Sequence, residues 1–115
     1  MSVTIYHNPR CAKSRQTLAL LCEKGMDPTI FEYLKTPPDA ATLTDILAKL
    51  GMAPRDLMRK KEAPYKDLKL ADATRTEGEL IAAMADNPIL IERPIVLANN
   101  KAALGRPPEA VLEIL

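Results

Sequence analysis

The stretch Val3-Thr4-Ile5-Tyr6-His7-Asn8-Pro9-Arg10-Cys11-Ala12-Lys13-Ser14-Arg15 changes its periodicity partway along. Val3 to Tyr6 alternates apolar and polar residues, as a short half-buried strand does. His7-Asn8-Pro9-Arg10 reads as a turn. From about Cys11 to Lys24 the pattern is helical, and Gly25 is placed to end it. Ile30-Phe31-Glu32-Tyr33-Leu34 reads as a second strand. A helix between two strands points to a crossover connection with the strands parallel.

Beyond this unit, Thr36-Pro37-Pro38-Asp39 stops the strand, and Leu43, Ile46, Leu47 and Leu50 fall on one helical face closed by Gly51. Pro54 opens a short helix carrying Leu57 and Met58, with a basic edge at Arg55, Arg59, Lys60 and Lys61. Thr76 and Glu79 have capping-box spacing at the head of a helix to Asp86, with Leu80, Ile81 and Met84 inward. Residues 62–75 carry no clear pattern. Ile95–Ala98, Asn99-Asn100 and Lys101–Leu104 read as a hairpin, because Asn tolerates the positive φ of a tight primed turn. Gly105-Arg106-Pro107-Pro108-Glu109 then breaks the strand before a last helix ending at Leu115. The order β-α-β, a helical insertion at about 39–88, then β-β-α is that of a thioredoxin-like α/β fold. The expectation is a single domain over residues 1–115 with a mixed four-stranded sheet.

Composition narrows the function. Among 115 residues, 16 Lys+Arg against 15 Asp+Glu give a net charge of +1, with no Trp, three Tyr and one Phe. Neither the basic excess nor the aromatic supply expected of a nucleic-acid binder is present. No apolar stretch approaches the ~20 residues of a membrane span, and the N-terminus has no signal-peptide pattern. Two cysteines make no disulfide scaffold, so the expected setting is the cytoplasm, with a monomer the simplest assembly.

Cys11 falls where strand gives way to helix. Free N–H groups and the helix dipole at that end favour a thiolate and can also cradle an oxyanion. Cys22, with Leu18 and Leu21 in the helix body, is expected to pack. Along one helix the two sulfurs lie about 16 Å apart at ~1.5 Å per residue, too far for a disulfide. Ser14 stands where a Cys-x-x-Cys pair would have its second thiol, so an oxidised Cys11 requires an external thiol for turnover. A phosphatase loop, with Arg six positions after the cysteine, does not fit, because Thr17 occupies that position. His7 is the sole histidine. It could favour the thiolate or orient an anion, or it could simply bond to the turn at the strand end. One His and two separated Cys make no metal site.

Together, Tyr6-His7-Asn8-Pro9-x-Cys11-x-x-Ser14-Arg15, Arg59-Lys60, Glu92-Arg93-Pro94-Ile95-Val96 and Gly105-Arg106-Pro107 resemble the glutaredoxin-dependent arsenate reductase (ArsC) family, in a shorter branch of it. The resemblance covers nearly the whole chain. It implies Cys11 as the catalytic thiol and Arg59, Arg93 and Arg106 as oxyanion-binding arginines. It further implies His7 and Ser14 as supports of the thiolate and Pro94 as a cis proline. It also implies arsenate as the oxyanion, no bound cofactor, glutathione as co-substrate and glutaredoxin as partner. Two other functions remain: a glutathione- or glutaredoxin-linked reduction of another substrate, and a non-enzymatic interaction module like the Spx-type regulators. The latter use a Cys-x-x-Cys switch, which Ser14 removes.

Overall fold

The structure, a computed structural model, describes residues 3–115. Contacts divide the chain into two compact units, one formed by the residues up to Thr36 with Arg93–Leu115 and the other by Pro37–Glu92.

The first unit is a four-stranded sheet in the order β2-β1-β3-β4, with β1 Val3–His7, β2 Thr29–Glu32, β3 Ile95–Ala98 and β4 Lys101–Leu104. β1 and β2 are parallel, joined by helix α1 (Ala12–Glu23), while β1–β3 and β3–β4 are antiparallel. This is the thioredoxin-like arrangement. In the centre of the sheet Ile5 lies opposite Val96, and both are fully buried with Leu21 of α1 and Val111 of the C-terminal segment. Truncating Ile5 to Ala there would cost about 2–5 kcal/mol. The β3–β4 turn places Asn99 and Asn100 at φ 53° and 60°, the left-handed values a primed hairpin turn needs. The last helix is 3₁₀ in form (Pro108–Ile114) and buries Val111 and Ile114.

Two expectations are corrected. The second strand ends at Glu32 rather than Leu34, because the N–H groups of Lys35 and Thr36 both turn back to the Glu32 carbonyl. As an edge strand β2 leaves Ile30 and Phe31 exposed, although Phe31 stacks on Tyr6 with centroids 5.6 Å apart. Cys22 is exposed, not packed. The inward face of α1 carries Ser14, Thr17 and Leu21, and Cys22 lies about 100° further round the helix than Leu21.

The second unit is helical: α2 Ala40–Leu50, α3 Ala63–Asp67 and α4 Glu77–Asp86, with 3₁₀ turns at Pro54–Leu57 and Pro88–Leu90. Asp39 caps α2 by accepting from the Thr42 N–H at 2.8 Å, and Gly51 closes it at φ 66°. Thr76 Oγ1 accepts from the Glu79 N–H at 3.2 Å, and the Glu79 carboxylate accepts from the Thr76 N–H at 3.4 Å, the reciprocal pair of a capping box. α2 packs on α4, burying Leu43, Ile46 and Leu47 from one and Leu80, Ile81 and Met84 from the other. The segment around 68–75 is held by arginine side chains on backbone carbonyls. Arg55 donates to Leu70 at 3.0 Å and Asp72 at 2.6 Å, and Arg75 to Leu68 at 2.8 Å. No helix among the described residues is long and apolar enough to cross a membrane.

Candidate active site

The turn after β1 is built from backbone and short polar side chains. Cys11 N–H donates to the Asn8 carbonyl at 3.0 Å, and Asn8 Oδ1 accepts from the Arg10 N–H at 3.0 Å. The extended Cys11 (φ −94°, ψ 123°) is therefore the N-cap of α1. Its thiol makes no full capping hydrogen bond, but the Ser14 and Lys13 N–H groups lie near enough to the sulfur to favour its ionised form.

Partial burial is the largest single influence on Cys11 and pushes its pKa up. The Ser14 N–H, the charge and hydrogen bond of Arg93 and the Lys13 N–H together outweigh it, and the thiol is held below its ordinary value. Cys11 as a residue is half-buried.

Arg93 ends the return from the second unit, and the Arg93–Pro94 bond is cis. Its Nε is buried and has no hydrogen-bond partner among the described residues. A buried guanidinium donor left unpaired costs free energy unless something fills it. Arg106 follows β4, and its Nε donates to the Arg93 carbonyl at 2.9 Å. The Gly105 N–H donates to the Pro94 carbonyl at 2.9 Å, so the two arginine-bearing segments are tied together at two adjacent points. The Arg106–Pro107 bond is also cis.

His7 and Ser14 form a buried pair, Nδ1 to Oγ at 2.6 Å, and Ser14 Oγ also accepts from the Asn8 N–H at 3.0 Å. Burial lowers the His7 pKa most, Glu32 opposes it and Arg15 adds to it, and the net direction is down. His7 also lines a shallow cavity of about 250 Å³ with Asn8, Arg10, Glu32 and Lys35. The groups that act on the Cys11 sulfur are the Ser14 and Lys13 amides and Arg93, whereas His7 meets the Ser14 hydroxyl.

The structure thus brings Cys11, Arg93, Arg106, Ser14 and His7 into one unit. Arg59 belongs to the helical unit, where it pairs with Glu62 at 2.8 Å and Glu92 at 3.7 Å. Sequence reasoning did not single out the buried Asn8 or Gly105, and it met Thr17 only as a mismatch to a phosphatase loop. Ser14 and Thr17 share the inward face of α1 with Leu21, and their polar side chains leave no apolar periodicity to mark that face. Among the described residues no group of three or more His, Cys, Asp or Glu could hold a metal ion.

A mixed sheet of this order, with a thiol held below its ordinary pKa heading the crossover helix and a proline opening β3, defines a thiol-bearing protein of thioredoxin-like fold. Residues 6–114 match the ArsC family, and the chain belongs to that family. It is 62% identical to the uncharacterized protein YfgD of Escherichia coli (strain K12), over 98% of this chain and 96% of that one. It is 50% identical to the arsenate reductase of Haemophilus influenzae, over the full length of both. The solved arsenate reductase of Vibrio cholerae superposes with a TM-score of 0.97 at 52% identity, over 100% of this chain and 98% of that one.

Proposed function

We propose that the chain reduces arsenate, or a closely similar tetrahedral oxyanion, through Cys11, with glutathione and glutaredoxin as the reductants. The observation that carries this reading is the Arg93 guanidinium beside an activated thiol, with a buried Nε that has no hydrogen-bond partner among the described residues. Planar, permanently charged donors suit a tetrahedral oxyanion, and their charge offsets the repulsion between two anions that must react. The names of the Haemophilus and Vibrio relatives support arsenate as that oxyanion.

In the first step the Cys11 thiolate forms a bond to As(V), and an arsenate oxygen leaves as water after taking up protons. Glutathione thiolate then attacks the Cys11 sulfur. A sulfur–sulfur bond forms, the sulfur–arsenic bond breaks with its electron pair left on arsenic, and As(III) departs as arsenite. Glutaredoxin thiolate attacks the glutathione sulfur of the mixed disulfide and releases Cys11 as thiolate. The absence of a second cysteine at Ser14 supports a borrowed thiol for these steps. A reducing, cytoplasmic setting follows from the reductants required.

Arg106 enters this reading through its bond to the Arg93 backbone. Arg59 enters only through the family pattern. Arg59→Ala tests it: a raised KM for the oxyanion supports a binding role, and an unchanged KM removes it. The test of the whole reading is NADPH consumption by purified protein with glutathione, glutaredoxin and glutathione reductase on addition of arsenate. Loss of that consumption in Cys11→Ser is the expected result. Consumption with a protein–glutathione mixed disulfide but none with arsenate would replace this reading by the other reductase function.

A further inference from the structure

We propose that Thr17 is a positioning residue, a fitted spacer that sets how closely the head of α1 with Cys11 approaches the tied segments carrying Arg93 and Arg106. Thr17 is fully buried, one turn beyond the residues that surround the thiol. Its Oγ1 donates to the Lys13 carbonyl at 2.8 Å, so one side of the residue is fastened to the turn whose amides face Cys11.

The same oxygen, with the methyl a little further off, also faces Gly105. A β-carbon at Gly105 would collide with Thr17 Oγ1, lie 3.1 Å from Thr17 Cγ2 and lie 2.6 Å from Cγ of Pro94. The Gly105 backbone is therefore seated directly on Thr17 and the Pro94 ring. Gly105 and Arg106 are in turn bonded to the carbonyls of Pro94 and Arg93. The chain of contacts runs from Lys13 through Thr17 and Gly105 to the segment bearing Arg93. Where a phosphatase loop has an arginine on the substrate, this chain has a buried threonine that supports arginines brought from elsewhere in the sequence.

Thr17 acts on Cys11 through the separation of two groups, so its shape matters more than its hydroxyl. Thr17→Val keeps the branched shape and loses the Lys13 bond. Thr17→Ser keeps the bond and loses the methyl against Gly105, and Thr17→Ala loses both. The catalytic consequence rests on the proposed function, whereas the effect on the thiol does not.

The test is the pH dependence of Cys11 alkylation by iodoacetamide in Cys22→Ser protein without any oxyanion, beside the melting temperature and the arsenate assay. Thr17→Ala and Thr17→Ser should shift the alkylation midpoint upward, with several-fold slower reaction at pH values below it. Thr17→Val should retain the parent midpoint. In the arsenate assay Thr17→Ala should lower kcat by on the order of tenfold, as small misplacements of reacting groups do. An unchanged alkylation midpoint in Thr17→Ser and Thr17→Ala, with only a lower melting temperature, would overturn the proposal. So would Thr17→Val behaving like Thr17→Ala, which would assign the effect to the hydroxyl. A parent protein inert toward arsenate would overturn the proposed function and leave the alkylation comparison to decide the role of Thr17.

Discussion

Replacing Gly105 by Ala tests how rigidly the arginine segments are seated. The new methyl would lie 2.6 Å from Pro94 Cγ, about 1 Å inside ordinary carbon–carbon contact, and would also strike Thr17 Oγ1. Neither obstacle can yield freely, since Thr17 is fully buried and Pro94 is a ring fixed in β3's approach. Overpacking of this kind costs about 1–3 kcal/mol. At about 4 °C per kcal/mol for a domain of this size, the melting temperature should fall by about 4–12 °C. Adding Thr17→Ala removes one obstacle and leaves the proline. The double variant should therefore be less destabilised than the sum of the single ones, with a coupling of about 0.5–3 kcal/mol, but should not regain the parent stability. Thermal or urea denaturation followed by circular dichroism reads both quantities. A Gly105→Ala protein melting within a degree of the parent, or strictly additive effects, would refute the close seating.

Arg93→Ala should raise the pH midpoint of Cys11 alkylation, because removing a positive charge and donor disfavours the thiolate; an unmoved midpoint would detach Arg93 from the thiol. Cys22→Ser should leave arsenate turnover unchanged while removing one of two alkylatable thiols, since Cys22 is exposed on α1. The single histidine should titrate by NMR below its ordinary 6.5, because burial disfavours its charged form. The unfolded chain then binds a proton that the folded one refuses, so this contribution to stability falls as pH drops through 6.5 toward the folded value. Thr76→Ala should cost about 1 kcal/mol through loss of the α4 cap, read as a lower denaturation midpoint.

The parts of the fold that were legible in the sequence are those fixed by local chemistry. The Asn99-Asn100 turn, the Thr76–Glu79 box and the Leu43–Ile46–Leu47 face all follow from rules that operate within a few residues. Residues 62–75 resisted because Arg55 and Arg75 shape them by reaching carbonyls well away in sequence, which no periodicity records. Cys22 was misplaced because the inward stripe of α1 begins with Ser14 and Thr17, and an apolar pattern rotates the helix the wrong way. At the site, the thiol's position was readable from the strand-to-helix transition. The tie between Gly105 and Pro94, and the burial of Arg93 Nε, depend on segments that meet only in three dimensions.

Most helices begin with a Ser, Thr, Asp or Asn whose oxygen satisfies the first amides, a bond commonly worth about 1 kcal/mol. The helix after β1 begins with sulfur instead, and a neutral thiol is a poor acceptor. Ionisation turns that sulfur into the missing acceptor, so deprotonating Cys11 and fastening the front of the helix are one event. Any chemistry that consumes the negative sulfur, whether an arsenic adduct or a mixed disulfide, unfastens those amides again. The oxidised protein should then fray at residues 12–15 in hydrogen exchange, and each reductive cycle would close the helix that the preceding oxidation had opened.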